Sequence, residues 1–140
     1  GLLTNGQDVA FPDQPVQSLP PRKGRSHLLR LLEVLARLKG QETPAPSGEF
    51  LARHLPRLSW GATLVILTPL ADESIFDQIF HARRMGIDVV LILCGEVPNI
   101  QQTRRRAQKF NIPFYAFSKE RDLEIWRGGM HQTRSLRKGR

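Results

Sequence analysis

The chain is expected to fold as a three-layer α/β domain, with a mostly parallel sheet flanked by helices. Three observations predict it. The runs Ala62–Thr68 and Val89–Leu93 are short, apolar and rich in β-branched residues, as suits strands buried on both faces of a parallel sheet. Between them, Ile75, Phe76, Ile79 and Phe80 recur at helical spacing. Strand, helix and strand at this distance form a βαβ unit with a right-handed crossover. Sites in such sheets form at the carboxyl ends of the strands, which directs attention to the loop Thr68-Pro69-Leu70-Ala71-Asp72.

The elements follow in order. Gly1-Leu2-Leu3-Thr4 reads as the end of a strand, and Asn5-Gly6 and Asp8 as turn residues. Val9-Ala10-Phe11 and Val16–Leu19 are read as short edge strands, held short by Pro12, Pro15, Pro20 and Pro21. Ser26 is placed as the N-cap of a helix over His27–Lys39. Its apolar face is Leu28, Leu31, Leu32, Leu35 and Leu38, and Gly40 ends it. Gln41–Pro46 is a flexible loop. Ser47 caps a helix Gly48–Leu55 that Pro56 ends or kinks.

In the βαβ unit, Pro69 stops the first strand, Asp72 caps the helix and Gly86 closes it. Cys94-Gly95-Glu96-Val97-Pro98 is the loop after the second strand. Asn99 caps a helix to about Phe110, and Asn111 is suited to the left-handed conformation that ends it. Ile112–Phe117 is a third strand, with Pro113 indicating an edge position. Ser118 caps a last short helix with Leu123, Ile125 and Trp126. Residues 1–127 thus form one domain and 128–140 a basic, mobile tail.

Composition narrows the function classes. A length of 140 residues is one domain, and an apolar fraction of 40% supports a modest core. No apolar run approaches the roughly 20 residues of a membrane span. Gly1-Leu2-Leu3-Thr4 lacks the basic start of a signal peptide, and the missing initiator Met suggests processing or an excised fragment. The single cysteine, Cys94, excludes an internal disulfide and a multi-cysteine metal site, and suits a reducing, cytoplasmic setting. The net charge is +8, and Arg134, Arg137, Lys138 and Arg140 supply half of it. Such a balance favours solubility or attraction to nucleic acid or an anionic membrane surface.

The chemistry-bearing residues are few. His27, His54, His81 and His131 share no metal-ligand spacing with one another or with an acid. Neither G-x-S-x-G nor a glycine-rich phosphate loop occurs. Cys94, at the end of an apolar strand, reads first as a buried, inert thiol. Arg104, Arg105, Arg106 and Lys109 form a basic helix face, a candidate phosphate or acidic-partner patch, although successive residues on a helix point apart. Asp72 lies at the correct strand end for a site, but its capping role accounts for it.

The segments GLLTNG, LPPRKGRSHLLRLLEVLARL, WGATLVILTPLADE and ARRMGIDVVLILCG resemble domain of unknown function family 58, a variant of the von Willebrand factor A fold. The resemblance covers Gly1 to Arg127, and its most specific part is the leucine-rich helix after Leu19-Pro20-Pro21-Arg22. It implies protein–protein adhesion or assembly through a metal-ion-dependent site of hard oxygen ligands. Ser26 is the nearest match to that family's second-loop Thr. Thr68-Pro69 stands where its third-loop Asp belongs, with Asp72 four residues on. The Asp-x-Ser-x-Ser motif of the first strand is absent. No bound metal or other cofactor is therefore expected. A missing first strand would leave two edges unpaired, so the chain is expected to be a fragment of a longer protein; the resemblance implies upstream membrane-spanning segments that would anchor that protein.

The function expected on these grounds is a non-enzymatic protein-interaction and assembly module of a larger, bacterial-type protein. The upstream part of the same protein is an expected partner. Its surface would include Ser26, Thr68, Asp72, Cys94 and Glu96. The alternative is a nucleic-acid or phosphate-binding module using Arg104, Arg105, Lys109 and the tail. A third possibility is an enzyme built on the Thr68–Asp72 and Cys94–Glu96 loops.

Overall fold

The computed structural model describes residues 1–13, 18–40, 47–96 and 98–124. Val16 and Gln17 of the second expected edge strand, the 41–46 loop, Val97, Ile125, Trp126 and the 128–140 tail lie outside the described residues. The chain divides into two units, Gly1–Phe50 and Leu51–Arg140.

Among its described residues the first unit carries four two-residue strands and the helix α1 (Arg25–Arg37). β1 (Leu2–Leu3) pairs antiparallel with β3 (Ser18–Leu19), and β2 (Gln7–Asp8) with β4 (Leu38–Lys39). The strand falls on Gln7–Asp8, whereas Val9-Ala10 form a turn; the carboxylate of Asp8 accepts from Ala10 N–H at 2.9 Å and draws the chain round. α1 (Arg25–Arg37) begins two residues before the expected start. Gly24, at φ 106°, occupies the N-cap position without a side-chain cap, so Ser26 lies inside the first turn and is not the cap. The helix also stops before Leu38, because β2 recruits Leu38 and Lys39 into a ladder. The expected leucine face does not form this unit's core. Val34 is buried, Leu31 and Leu38 are half-buried, and Leu28, Leu29, Leu32 and Leu35 are exposed. Four two-residue strands offer little apolar surface to cover so wide a stripe.

Asp8 is more than a turn residue. It is buried, and Arg37 Nε lies 3.3 Å from its carboxylate. Arg37 in turn lies over the Phe11 ring, 5.9 Å from its centroid. A buried carboxylate persists only with such partners.

The boundary between the units falls inside α2 (Ser47–His54). Pro56 follows in a 3-10 turn, Leu55–Arg57, as a proline that cannot continue the helix requires. The second unit then builds β5 (Thr63–Thr68), α3 (Glu73–Arg84), β6 (Asp88–Cys94), α4 (Ile100–Lys109) and β7 (Phe114–Phe117). The three strands form one parallel sheet in the order β5-β6-β7. It is a mixed α/β arrangement with a parallel sheet flanked by helices. β7 is an edge, consistent with Pro113 at its start. Residues 120–124 are helical.

Two right-handed crossovers running in the same direction put α3 and α4 on one face. Their mutual contacts agree: Arg106 Nη2 donates to Glu73 Oε1 at 3.2 Å, and Phe110 packs on Phe76 and Phe80. On that face Ile66, Val89, Leu91 and Leu93 are buried with Ile75, Phe76, Ile79, Ala82 and Ala107. The side chains of β5 and β6 alternate. Val90, Ile92 and Cys94 are half-buried, and Val65 and Leu67 are 48% and 66% exposed. β5 is therefore not buried on both faces. Among the described residues it is an edge strand of the three-stranded sheet, with one of its faces under α3 and α4.

Candidate functional site at the carboxyl edge of the sheet

The strand ends converge in register. Thr68 opposes Leu93, and Cys94 opposes Phe117. Gly95 N–H donates to the Phe117 carbonyl at 2.8 Å, and the positive φ of Gly95, 98°, lets the chain turn away there. The loops after β5 and β6 are thus neighbours, as their place in the βαβ order requires.

Their side chains do not converge. Thr68 points to the helix-covered face with Leu93, and Cys94, one residue further along β6, points to the other. Thr68 is buried; its Oγ1 donates to the Leu70 carbonyl at 2.7 Å and accepts from Leu70 N–H at 3.3 Å. Its hydroxyl shapes the turn that Pro69 begins. Asp72 Oδ1 accepts from Ile75 N–H at 3.0 Å and from the Ser74 hydroxyl at 2.7 Å. These bonds, the Ser74 hydroxyl first, hold its carboxyl below the usual carboxylate range. Glu96 is exposed. Burial pushes the Cys94 thiol up, which favours the protonated, weakly nucleophilic form. Ser26 belongs to the first unit.

On the side of Cys94, Leu67, Ile92, Phe117 and Leu123 line a hollow of about 400 Å³. Its rim is shaped by a cap that reverses the expectation. Asp122 Oδ2 accepts from Ser118 N–H at 2.9 Å and from Lys119 N–H at 3.0 Å, so the carboxylate of Asp122 organises this turn. Those bonds, Lys119 N–H first, hold the Asp122 carboxyl low. The site is accordingly an apolar depression with Ser118, Lys119 and Glu120 at its border. It is suited to packing against a surface.

An oxygen-ligand metal site of the kind the resemblance implies does not fit these residues. Thr68 Oγ1 is engaged by Leu70, and Asp72 Oδ1 by its own helix. Among the described residues no three His, Cys, Asp or Glu side chains come together to hold an ion.

The basic helix spreads its charges. Arg104 lies over the Phe114 ring, 5.8 Å from its centroid. Arg106 is held by Glu73 and lies 4.8 Å from the Phe76 centroid. Arg105 and Lys109 are exposed one turn apart. Asn99 stands at the N-cap position of α4 in the left-handed conformation and without a side-chain cap; its carbonyl accepts from Gln102 and Thr103 N–H instead. Sequence reasoning missed the apolar hollow, whose signal was the alternation of Leu67, Ile92 and Cys94 on one side of two strands.

No helix among the described residues is long and apolar enough to cross a membrane. Compared with protein-family models, curated proteins and solved structures, the chain matches none.

Proposed function

We propose that this chain is a non-enzymatic protein-interaction and assembly module of a larger protein, related to the von Willebrand factor A-like family of unknown function that its sequence resembles. One observation carries the reading. The sheet of the second unit has one helix-covered face, whereas its other face presents Val65, Leu67, Val90 and Ile92 and leads into the apolar hollow beside Cys94. A contiguous apolar surface of this kind marks a place where another polypeptide packs. The occupant proposed is an amphipathic helical layer laid on this face, which would complete the three layers of an A-like fold. Thr68, Asp72 and Asp122 at the carboxyl edge support a packing role, since each spends hydrogen bonds within its own turn.

A photo-crosslinking residue at position 67 tests this in cells that make the protein. An adduct mapping to an amphipathic helix, not formed from the same residue at position 101, exposed on α4 on the other side of the sheet, is expected. Equal labelling from both positions, or none from position 67, defeats it. A turnover abolished by a point substitution in the Thr68–Asp72 loop would also defeat it.

A second reading rests on Arg105 and Lys109, exposed one turn apart on α4, together with the net charge of +8. They would contact the phosphates of a nucleic acid, with Arg104 and the basic tail contributing. Each phosphate contact adds about 0.9 to the slope of log affinity against log salt on duplex DNA. A titration against duplex and single-stranded DNA measures that slope. Absence of binding at low ionic strength removes this alternative.

A further inference from the structure

A groove of about 470 Å³ lies between α3 and the end of α4, within the second unit and on the helical side of its sheet. Phe80, Phe110 and Ile112 line it, with Arg83, Arg84 and Lys109. The local sequence builds it in three steps. Phe76, Phe80 and Arg83 stack on successive turns of α3. Asn111, in the left-handed conformation at φ 52°, turns the chain so that Ile112 enters the core. Phe110 then sits 6.4 Å from Phe76 and 6.3 Å from Phe80, edge-on to the latter. Arg83 donates to the carbonyls of Phe110 and Asn111 and ties the end of α4 to α3. Phe80 nevertheless remains 54% exposed, and Arg84 and Lys109 stand exposed on two different helices.

We propose that this groove docks an acidic segment of a partner protein, carrying one large apolar anchor. Charge decides the sign of the occupant: among the described residues three cations and no acid line the groove. On α3 itself, Glu73 is spent on Arg106, and Asp77 does not line the groove. The chain's own C-terminal segment has the wrong sign, with Arg127, Arg134, Arg137, Lys138 and Arg140 and no acid. The rings decide its chemistry. A single-stranded nucleic acid needs open ring faces in succession. Here the guanidinium of Arg106 covers Phe76, and Phe110 is wedged between two rings. What remains is one exposed ring, Phe80, beside a hollow, which receives a wedge-shaped apolar side chain. Carboxylates flanking that anchor would face Arg84 and Lys109 and set association rate and specificity. This surface is separate from the open sheet face, so either can fail alone.

The test uses the full chain and a fluorescent peptide of about 15 residues with Glu and Asp flanking one Trp-Leu anchor. Anisotropy at low salt should show saturable binding, absent for the peptide with Lys in place of its acids. Replacing the anchor by Ser-Ser, or Phe80→Ser or Lys109→Glu in the protein, should weaken binding by about tenfold or more. Arg53→Glu, an equal charge change outside the groove, should leave it unaltered. Amide spectra of each variant check that the fold persists. No binding of the acidic peptide, or equal loss from Arg53→Glu and Lys109→Glu, overturns the proposal. So does tighter binding of a single-stranded DNA that is indifferent to Phe80→Ser; that result would assign the face to nucleic acid.

Discussion

Asp72 holds two donors with one oxygen, Ile75 N–H and the Ser74 hydroxyl, and so begins α3. Such a cap is legible in sequence because donor and acceptor are three residues apart. Asp72→Ala should cost about 1 kcal/mol at neutral pH by urea unfolding. The pH dependence follows from its lowered folded pKa. The group stabilises above its unfolded value, about 3.9, and loses that contribution as pH falls through the folded value. The difference between wild type and Asp72→Ala should therefore shrink on acidification below pH ~4. Gly86 was equally legible as a helix terminator, and its φ of 76° shows why glycine serves there. A Cβ at this position would also meet the Trp60 indole. Gly86→Ala should cost about 1–2 kcal/mol in thermal or urea unfolding, chiefly through the left-handed backbone. Ser26 shows the opposite case. A serine near a helix start reads as a cap, but Gly24, at a positive φ of 106°, places the helix start one residue before it.

β5, α3, β6, α4 and β7 were readable as elements, since apolar period and turn residues are local. What β5 buries was not. A run such as Leu64-Val65-Ile66-Leu67 reads alike whether one or two faces are covered, because apolar residues occupy both sides of the pleat. The structure distinguishes them, and stability measurements should as well. Leu91, fully buried on the central strand, should cost about 2–5 kcal/mol when changed to Ala. Leu67→Ala, on the exposed side, should change stability by less than about 0.5 kcal/mol. Equal losses at the two positions would mean that the open face is covered. The same pleat divides the expected interaction residues: Thr68 and Cys94 end adjacent strands but face opposite ways. Adjacency of loops followed from topology, whereas adjacency of side chains depended on register.

Across the whole chain, core material is unevenly shared. Leu19 and Val34 are the buried apolar side chains described in Gly1–Phe50, whereas Leu51–Arg140 holds one cluster running from Leu55 to Ile112. A unit of about 50 residues with so small a core is marginal. Native-state hydrogen exchange should find the slowest amides on β6, around Leu91 and Leu93, and much faster exchange on β2 and β4. Protection of β2 equal to that of β6 would contradict this division.

The sequence by itself determined the order of helices and strands in the second unit, the Asp72 cap, the left-handed Asn111 and the termination at Gly86. Each depends on hydrogen bonds or steric limits within a few residues. Only the tertiary structure decided that β6 is central and β5 an edge, that one sheet face is open, that Thr68 and Cys94 part company, and that Phe80, Phe110 and three cations border one groove. Those outcomes depend on which distant segments pair and pack. Composition and period constrain that choice without making it, because the same apolar residues satisfy several pairings and only one arrangement fills a core.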